Sequence, residues 1–517
     1  MKKILLPLAA LLLGTGAASA AANVYASGLK AENGKISFIL NDAADKVVFN
    51  LVKDGTVVAT ADLGAGQKGL NTVDFPSLNV ENGTYSWSLT ASAAAVTEVT
   101  RLTDGTNTAL QTSSARGIAV DMAPASPGFG NIYTVTPGKP GQAGERVQTG
   151  LYAFNAAMEP LNDDAYTGGI EWEATSSSSP NNVTVGDEGD IFICSWGDAQ
   201  GGVWYLTPDN LAADWKSVFA EGERNSDGLV TIGGAKVHGS VQDVALYGTG
   251  AARTMYTSDE DINGTNGDIM VYNIGALENP WATAPTADWG HPDGYVNGNH
   301  RLCSDRRGGL WLAQYRWQES DANACVYHLT DKGVCDFHSG DKSVFLGSTP
   351  VGAMGLNADG TLMAVAGSDN GLSFTVASVA YDAEGLPSLS KLYDVTFDAP
   401  YTGKRPFDVA FDAADNIYIV FNNAGEAGGI AAWALPKEKN EFTTPAVGTI
   451  DVTSAGVETI SATVLSYDGT TIKAAETAEV FNALGTKVAA GTEINTSAWA
   501  AGIYVVRAGK STLKIAK

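Results

Sequence analysis

The feature that most constrains this chain is an internal repeat. Six segments share one plan, in which an apolar strand, a polar turn and a second apolar strand follow one another. When the segments are aligned on the first strand, successive starts lie 65, 61, 58, 52 and 55 residues apart. The aligned residues are Ile118, Val183, Val244, Leu302, Met354 and Val409. Such regularity predicts one structural unit used six times, each burying its apolar faces against its neighbours.

Each unit continues with a third strand after a glycine-rich gap, as in GLYAFN from Gly150, and most units add a weaker fourth strand. Four short antiparallel strands repeated six times predict an all-β fold with a six-bladed β-propeller at residues 96–445. Two segments compete to close the ring, VTRLTD from Val99 and EFTTPA from Glu441. One of them must therefore lie elsewhere.

The recurring form resembles NHL-type and gluconolactonase-like six-bladed propellers, most clearly in RPFDVAFD from Arg405. The G-H and W-D signatures of WD40 repeats are missing. Gluconolactonase-like enzymes hold a cation with a carboxylate, an Asn and an Asp in the channel. No Glu occupies the matching positions here, so the resemblance brings no metal site with it.

Residues 22–95 precede the ring and predict a small β-sandwich. Apolar, partly β-branched runs flank the turn Lys53-Asp54-Gly55, which is a strong hairpin signal. The order of strands, ending in GTYSWSLTA from Gly83, resembles the Ig-like domain of flagellar hook scaffold proteins.

Residues 447–517 predict a second sandwich after the ring. They contain a hairpin around Ala483-Leu484-Gly485, a G-x-Y strand and a lysine-rich end. The segment resembles the C-terminal sorting domain of the type IX secretion system of Bacteroidota, through Gly502, Tyr504, Lys514 and Lys517. The resemblance implies the secretion machinery as a partner, with the passenger released or attached to surface lipopolysaccharide. An ordinary terminal sandwich is the alternative.

The first 20 residues have the order of a secretory signal peptide. Lys2 and Lys3 precede an apolar run over residues 4–13, and small residues end in Ala18-Ser19-Ala20. A buried N-terminal helix is the alternative. No later apolar run reaches the ~18 residues of a transmembrane helix. We therefore expect a secreted or outer-membrane surface-attached protein without a membrane span after cleavage.

Charge and cysteine content exclude several classes of function. The chain has 57 acidic against 32 basic residues, a formal net charge of −25, which disfavours nucleic acid as a partner. Its four cysteines are too few for a disulfide scaffold. No C-x-x-C, H-E-x-x-H or G-x-S-x-G motif is present, so neither a zinc site nor a catalytic residue is assigned.

Polar residues just before the first strands predict a ligand site at the channel mouth, because concave surfaces are where small molecules bind. Two tryptophans flanked by polar loop residues add flat faces on which sugar rings stack. The candidate ligand-binding residues are Arg116, Asn182, Asp243, His300, Arg301, Asp408, Trp196 and Trp317. Alternatively, these polar groups only hydrate the channel and cap strand ends. A second aligned set, Asp121, Asp305, Asn357 and Asp412, is typical of Asx turns after the first strand.

One loop carries a metal hypothesis. The sequence from Asp259 to Gly264 fits D-x-[DN]-x-[DN]-G, in which alternate oxygens surround calcium. The candidate ligands are Asp259, Asp261, Asn263 and Asp268. The motif is incomplete, because Met270 stands where a Glu belongs. A plain acidic turn is the alternative.

These patterns favour an exported binding or scaffolding protein whose channel mouth takes a ligand, such as an extracellular glycan or a surface protein. Two alternatives stay open. One is a propeller enzyme, a glycan or lactone hydrolase or lyase, using a channel-mouth metal or carboxylates. The other is a structural surface component without a small ligand.

Overall fold

A computed structural model describes residues 22–137, 146–173, 176, 178–262, 268–277, 282–292, 300–314, 326–339, 351–367, 373–422, 429–453, 456–458, 466–467, 470–482, 486–508 and 511–516. Strands and turns make up nearly all of these residues, which confirms the all-β prediction. The helices in this part are short 3-10 turns at Thr108–Leu110, Pro208–Asn210 and Gly250–Ala252. None of them has the length or apolarity needed to cross a membrane.

Six antiparallel sheets follow the six repeats in the described part of the chain, and we number them ring sheets 1 to 6. Ring sheet 1 contains Gly117–Val120, Ile132–Thr136 and Gly150–Phe154; ring sheet 2 contains Asn182–Val185, Ile191–Ser195, Gly202–Leu206 and Lys216–Ser217; ring sheet 3 contains Val241–Tyr247, Thr254–Asp259, Asp268–Asn273 and Ala287–Asp288. Ring sheet 4 contains His300–Ser304, Leu310–Gln314, Val326–Leu329 and Cys335–His338; ring sheet 5 contains Val351–Leu356, Leu362–Gly367, Ser373–Tyr381 and Pro387–Thr396; ring sheet 6 contains Arg405–Phe411, Asn416–Asn422, Gly429–Ala434 and Thr100–Arg101.

The ring sheets are arranged in a cycle. The first strand of each sheet contacts the first strand of the next, and that of ring sheet 6 contacts that of ring sheet 1. A buried apolar cluster fills each junction; Tyr418 of ring sheet 6, for example, packs with Ile118 and Tyr152 of ring sheet 1. The second strands are buried on both faces, as Ile191–Ser195 is throughout. This is why several of them, such as Ile191–Ser195 and Leu310–Gln314, read as nearly continuous apolar runs rather than as alternating ones.

The question of the closing strand has a clear answer. Thr100–Arg101 pairs with Gly429–Ala434 and so completes ring sheet 6. Glu441–Pro445 instead pairs with Gly83–Ser92, outside the ring. Ring sheet 6 is therefore assembled from both ends of the repeat region.

Between ring sheets 2 and 3 lies a small extra sheet that the repeat pattern did not indicate. Its strands are Glu223–Arg224, Val230–Ile232 and Ala235–His238. Val237 is buried with Val241 and Met255 of ring sheet 3, so the insert is packed onto the ring.

The N-terminal region forms two sheets around one core that contains Phe38, Phe49 and Trp87. The predicted hairpin is present, since Lys53 pairs with Thr56 and both turn residues have positive φ, 50° at Asp54 and 75° at Gly55. The first sheet contains Ala26–Glu32, Lys35–Leu40 and Gly69–Asp74, and the second contains Ala44–Lys53, Thr56–Gly66, Gly83–Ser92, Glu441–Pro445, Ile450–Thr453 and Gly456–Glu458. Three strands from beyond the ring thus complete the N-terminal sandwich.

The separate C-terminal sheet begins at Ser466, later than the boundary expected at residue 447. Ile450–Thr453 and Gly456–Glu458 join the N-terminal sandwich because Ile450–Thr453 pairs with Gly83–Ser92 and Gly456–Glu458 pairs with Ile450–Thr453. The C-terminal strands are Ser466–Tyr467, Thr471–Asn482, Lys487–Asn495, Ile503–Ala508 and Ser511–Ala516. Thr471–Asn482 and Lys487–Asn495 form the predicted hairpin, whose turn at 483–485 lies outside the described residues.

Asparagine side chains join the N-terminal sandwich to the ring. Asn440 Oδ1 accepts a hydrogen bond from Val24 N at 2.8 Å, and Asn440 Nδ2 donates to Ala22 O at 2.8 Å. Asn416 of ring sheet 6 bonds the backbone of Asn23 in the same two-sided way, with Asn23 N donating to Oδ1 at 2.9 Å and Nδ2 donating to Asn23 O at 2.8 Å. The first described residues are therefore fixed against the end of the repeat region.

Candidate functional site

The first strands of the ring sheets enclose an axial cavity of about 90 Å³. All six residues on which the repeats were aligned line it: Ile118, Val183, Val244, Leu302, Met354 and Val409. This volume holds several water molecules but no sugar ring. A larger ligand would have to lie on the rim, where the chain enters the first strands.

Two buried aspartates at that end tie neighbouring sheets together. Asp243 Oδ1 accepts from Val244 N in its own strand at 2.8 Å, and Oδ2 accepts from Leu302 N in ring sheet 4 at 2.8 Å. Asp408 repeats the pattern, accepting from Val409 N and, across the closure of the ring, from Ile118 N, both at 3.0 Å. Their oxygens thus satisfy backbone N–H groups at the starts of the first strands.

Asn182 continues the same scheme in ring sheet 2. Its Oδ1 accepts from Val183 N at 2.8 Å, and its Nδ2 donates to Asp243 Oδ1. Gly117 lies against this side chain so closely that a Cβ added there would be 2.0 Å from Asn182 Oδ1. Ring sheets 1 and 2 therefore approach each other as only glycine permits.

Arg301 crosses the axis and supplies the charge that these aspartates need. It is buried, and its Nε lies 3.5 Å from Asp408 Oδ1. Nε donates to Phe407 O at 3.1 Å and Nη2 donates to Arg116 O at 2.7 Å. One guanidinium from ring sheet 4 thus binds the backbone of ring sheets 6 and 1 on the far side of the ring.

Burial has the largest effect on the pKa of each of the two aspartates. It raises the pKa of Asp408 to about 7, although the charge of Arg301 opposes the shift. Burial also raises the pKa of Asp243 above its usual range, again opposed by Arg301. At neutral pH Asp408 is therefore partly protonated.

Arg116 has a different environment. Its guanidinium carbon lies 4.4 Å from the centre of the Phe407 ring, and that of Arg405 lies 5.1 Å from the same ring. Arg116 Nε is buried without a hydrogen-bond partner. Burial, together with the charges of Arg301 and Arg405, lowers the pKa of Arg116 to about 9. Arg405 and Phe407 were not among the predicted site residues, although both stand in the RPFD segment that best marks the repeat.

The remaining predicted ligand residues are less well placed. Trp196 is half-buried, and its Nε1 donates to Glu260 Oε2 in the loop after ring sheet 3's second strand. His300 begins ring sheet 4, but its side chain lies outside the described residues, as does all of Trp317.

The carboxylates proposed for calcium make internal hydrogen bonds. Asp259, which is buried, accepts from Gly239 N at 2.7 Å, and Asp261 accepts from Ser240 N at 2.6 Å. Asp268 Oδ1 lies 2.9 Å from His291 Nδ1, and Asn263 is outside the described residues. Where the structure describes the chain, no three His, Cys, Asp or Glu residues are grouped to hold a metal ion. The calcium site stays a prediction.

A cation of the protein already sits near these acids. Arg224 is within electrostatic reach of Asp259, Asp261 and Asp198. Its guanidinium donates to Gly228 O and Gly201 O, each at 2.7 Å. Arg224 therefore joins the extra sheet to the loop before the third strand of ring sheet 2, and its charge interacts with the acidic loop of ring sheet 3.

No protein-family model and no curated protein matches the chain. Solved structures resemble it at low identity. A protein of unknown function from Bacteroides thetaiotaomicron is 13% identical with a TM-score of 0.36, covering 80% of this chain and 98% of its own. A gluconolactonase from Xanthomonas campestris is 13% identical with a TM-score of 0.36, covering 67% and 98%. A glucose dehydrogenase is 10% identical with a TM-score of 0.39, covering 65% and 98%. Likenesses of this size assign no activity to this chain.

Proposed function

We propose that the chain is an exported binding or scaffolding protein, a six-bladed β-propeller between an Ig-like sandwich and a type IX-like sorting domain, with its ligand site on the channel rim. The observation that supports binding over catalysis is that the carboxylates at the channel mouth are already hydrogen-bonded within the protein. Asp243 and Asp408 direct their oxygens to backbone N–H groups and to Arg301, and this leaves them holding sheets together. A rim built this way is a rigid platform for recognition.

The ligand class that we favour is an extracellular glycan. Trp196 offers a half-buried indole beside Glu260 and Gln242, an aromatic face next to hydrogen-bonding groups. Sugars use both, because their C–H faces stack on aromatic rings while their hydroxyls bond to polar groups.

The test is calorimetry of the full chain against a panel of oligosaccharides, with mass spectrometry of the same mixtures after prolonged incubation. We expect binding without new products, and at least tenfold weaker binding in Trp196→Ala. Trp499→Ala, which alters a tryptophan in the turn between Lys487–Asn495 and Ile503–Ala508, is the matched control and should bind as the parent does. Failure of every glycan to bind would contradict the glycan assignment.

An enzyme is the second candidate, and one observation favours it. Asp408 lies at the end of a cavity with its pKa raised to about 7, and shifted carboxyl groups in clefts are frequent in active sites. Product formation that is lost in Asp408→Asn, with the variant still folded by circular dichroism, would establish this alternative.

Export is tested separately. We expect a bacterial host to cleave the precursor after Ala20, which N-terminal sequencing of the exported chain would show. A precursor that keeps its leader and remains inside the cell would contradict the proposed location.

A further inference from the structure

We propose that the channel rim binds an oxyanionic group, a carboxylate, phosphate or sulfate, at Arg116 and Arg405 beside the ring of Phe407. The inference rests on the proposed rim site and specifies the charge of what it takes.

The first argument is the crowding of positive charge. Both guanidinium carbons lie close to one ring, at 4.4 Å for Arg116 and 5.1 Å for Arg405. The two charges are therefore within about 10 Å of each other, a distance over which exposed charges still interact at moderate salt. Contact with the ring stabilises each cation but provides no hydrogen-bond acceptor.

The second argument is the missing acceptor at Arg116. Across the described residues, its guanidinium has no hydrogen-bonding or ion-pairing partner, and its Nε is buried. Its backbone is satisfied, with N donating to Val135 O at 2.9 Å and O accepting from Arg301 at 2.7 Å. A guanidinium has five N–H donors in a planar fork, and no group among the described residues accepts a hydrogen bond from that of Arg116.

The third argument is that the nearby carboxylates are already engaged. Asp408 and Asp243 lie around Arg301 and accept from backbone N–H groups. Burial, together with the charges of Arg301 and Arg405, lowers the pKa of Arg116 to about 9, which leaves the residue charged at neutral pH. Arg116 thus keeps a positive charge in a protein whose formal net charge is −25.

An oxyanion meets all three conditions. Its oxygens accept two parallel N–H bonds from a guanidinium fork, and its charge offsets the repulsion between the arginines. The cavity below is too small for a sugar ring, so the anion would be a terminal group of a ligand on the rim, such as the carboxylate of an acidic sugar, or a free phosphate or sulfate.

The test is calorimetry of the full chain with glucuronate, phosphate and sulfate, with glucose as the neutral comparison. Glucuronate binding alone identifies a sugar acid as the source of the anion, and comparable binding of all three identifies the shared oxyanion chemistry. Binding of phosphate or sulfate alone identifies an inorganic or ester anion. Each of these supports the proposal if affinity falls as salt is raised.

The variants are Arg116→Gln and Arg405→Gln, each expected to weaken anion binding at least tenfold. Arg116→Lys, which keeps the charge but loses the fork, should be intermediate and covers the case in which Gln disturbs folding. Arg307→Gln is the matched control, since Arg307 also lies over a ring, 4.2 Å from the centre of Tyr381, in the turn after the first strand of ring sheet 4. It should bind as the parent does.

The proposal is overturned if no anion binds at millimolar concentration, or if Arg116→Gln and Arg405→Gln bind like Arg307→Gln. Binding of a neutral oligosaccharide without any anion would overturn this inference and leave the proposed function in place. Absence of binding by both kinds of ligand would contradict both.

Discussion

At the scale of single residues, aspartates at both ends of the first strands bond to backbone N–H groups. Asp412 follows the first strand of ring sheet 6, is buried, and accepts from Ala414 N and Asn416 N, both at 2.9 Å. This is the Asx turn expected at the aligned position, and Asp305 forms the corresponding bonds in ring sheet 4.

Asp412 should make stability depend on pH. Burial raises its pKa to about 7, against an ordinary value of 3.8. Because the folded state binds this proton more tightly, the contribution to stability is complete below about pH 4 and is lost as the pH rises through 7. Melting experiments from pH 5 to 8 should show that the free energy of unfolding falls less steeply with pH in Asp412→Asn than in the parent. The difference in slope should reach up to about 1.4 kcal/mol per pH unit.

Asp382→Asn is the control for that series. Asp382 accepts from Glu384 N at 3.0 Å and Leu386 N at 2.8 Å, but it is exposed to water. Its variant should keep the parent's pH dependence. Equal slopes for Asp412→Asn and the parent would refute the argument.

At the scale of elements, close approach between first strands sets the width of the ring. A Cβ added to Gly355 would lie 2.4 Å from Val409 O, a backbone atom of the neighbouring sheet. Gly355→Ala must therefore push ring sheets 5 and 6 apart, and we expect a loss of about 1–3 kcal/mol in the free energy of unfolding.

Urea denaturation would measure this loss. Gly491→Ala in the C-terminal sheet serves as the comparison, because its added Cβ meets nothing nearer than 3.5 Å. A Gly355→Ala protein as stable as its parent would mean that the sheets can separate without cost.

The sequence predicted the repeated strands well because burial on both faces leaves long apolar runs, as in Ile191–Ser195. It did not predict the insert at residues 223–238, whose three strands are short and of which Glu223–Arg224 and Ala235–His238 begin with exposed residues. The pattern of apolar residues in a strand also does not indicate which distant strand it pairs with. Ile450–Thr453 reads as a strand, yet only the structure shows that it pairs with Gly83–Ser92.

The alignment indicated which of the candidate side chains share one end of the channel, but not which bonds they make. Alignment located Asp243, Arg301 and Asp408 at one end of the channel, where the structure has them together. Their bonds to neighbouring strands depend on the spacing between sheets, which no local pattern encodes. The sequence did not predict the stacking of Arg116 and Arg405 on Phe407 either, because this contact also depends on the spacing between sheets.

At the scale of the whole molecule, Asn440 links the ring to the sandwich. Besides its bonds to Val24 and Ala22, it donates to Ala94 O at 2.9 Å. Asn440→Ala leaves the buried backbone groups of Val24 and Ala22 unpaired, at about 1–3 kcal/mol each. We expect calorimetry to show one cooperative transition in the parent and an earlier, separate transition of the sandwich in the variant.

Asn71→Ala is the matched change, because Asn71 also makes three hydrogen bonds to backbone, all within one turn of the sandwich and near the surface. It should leave a single transition. If Asn440→Ala also unfolds in one step at an unchanged temperature, the asparagine contacts do not couple the two parts.

The pairing of Gly83–Ser92 with Glu441–Pro445 has a consequence for the order of events during synthesis. A ribosome releases the first of these strands long before the second, with the whole wheel of sheets between them in the sequence. The second sheet of the sandwich therefore lacks this strand until nearly all of the polypeptide has emerged. Its completion is a late step, and a nascent chain stalled inside the repeats would display that open edge to any chaperone within reach.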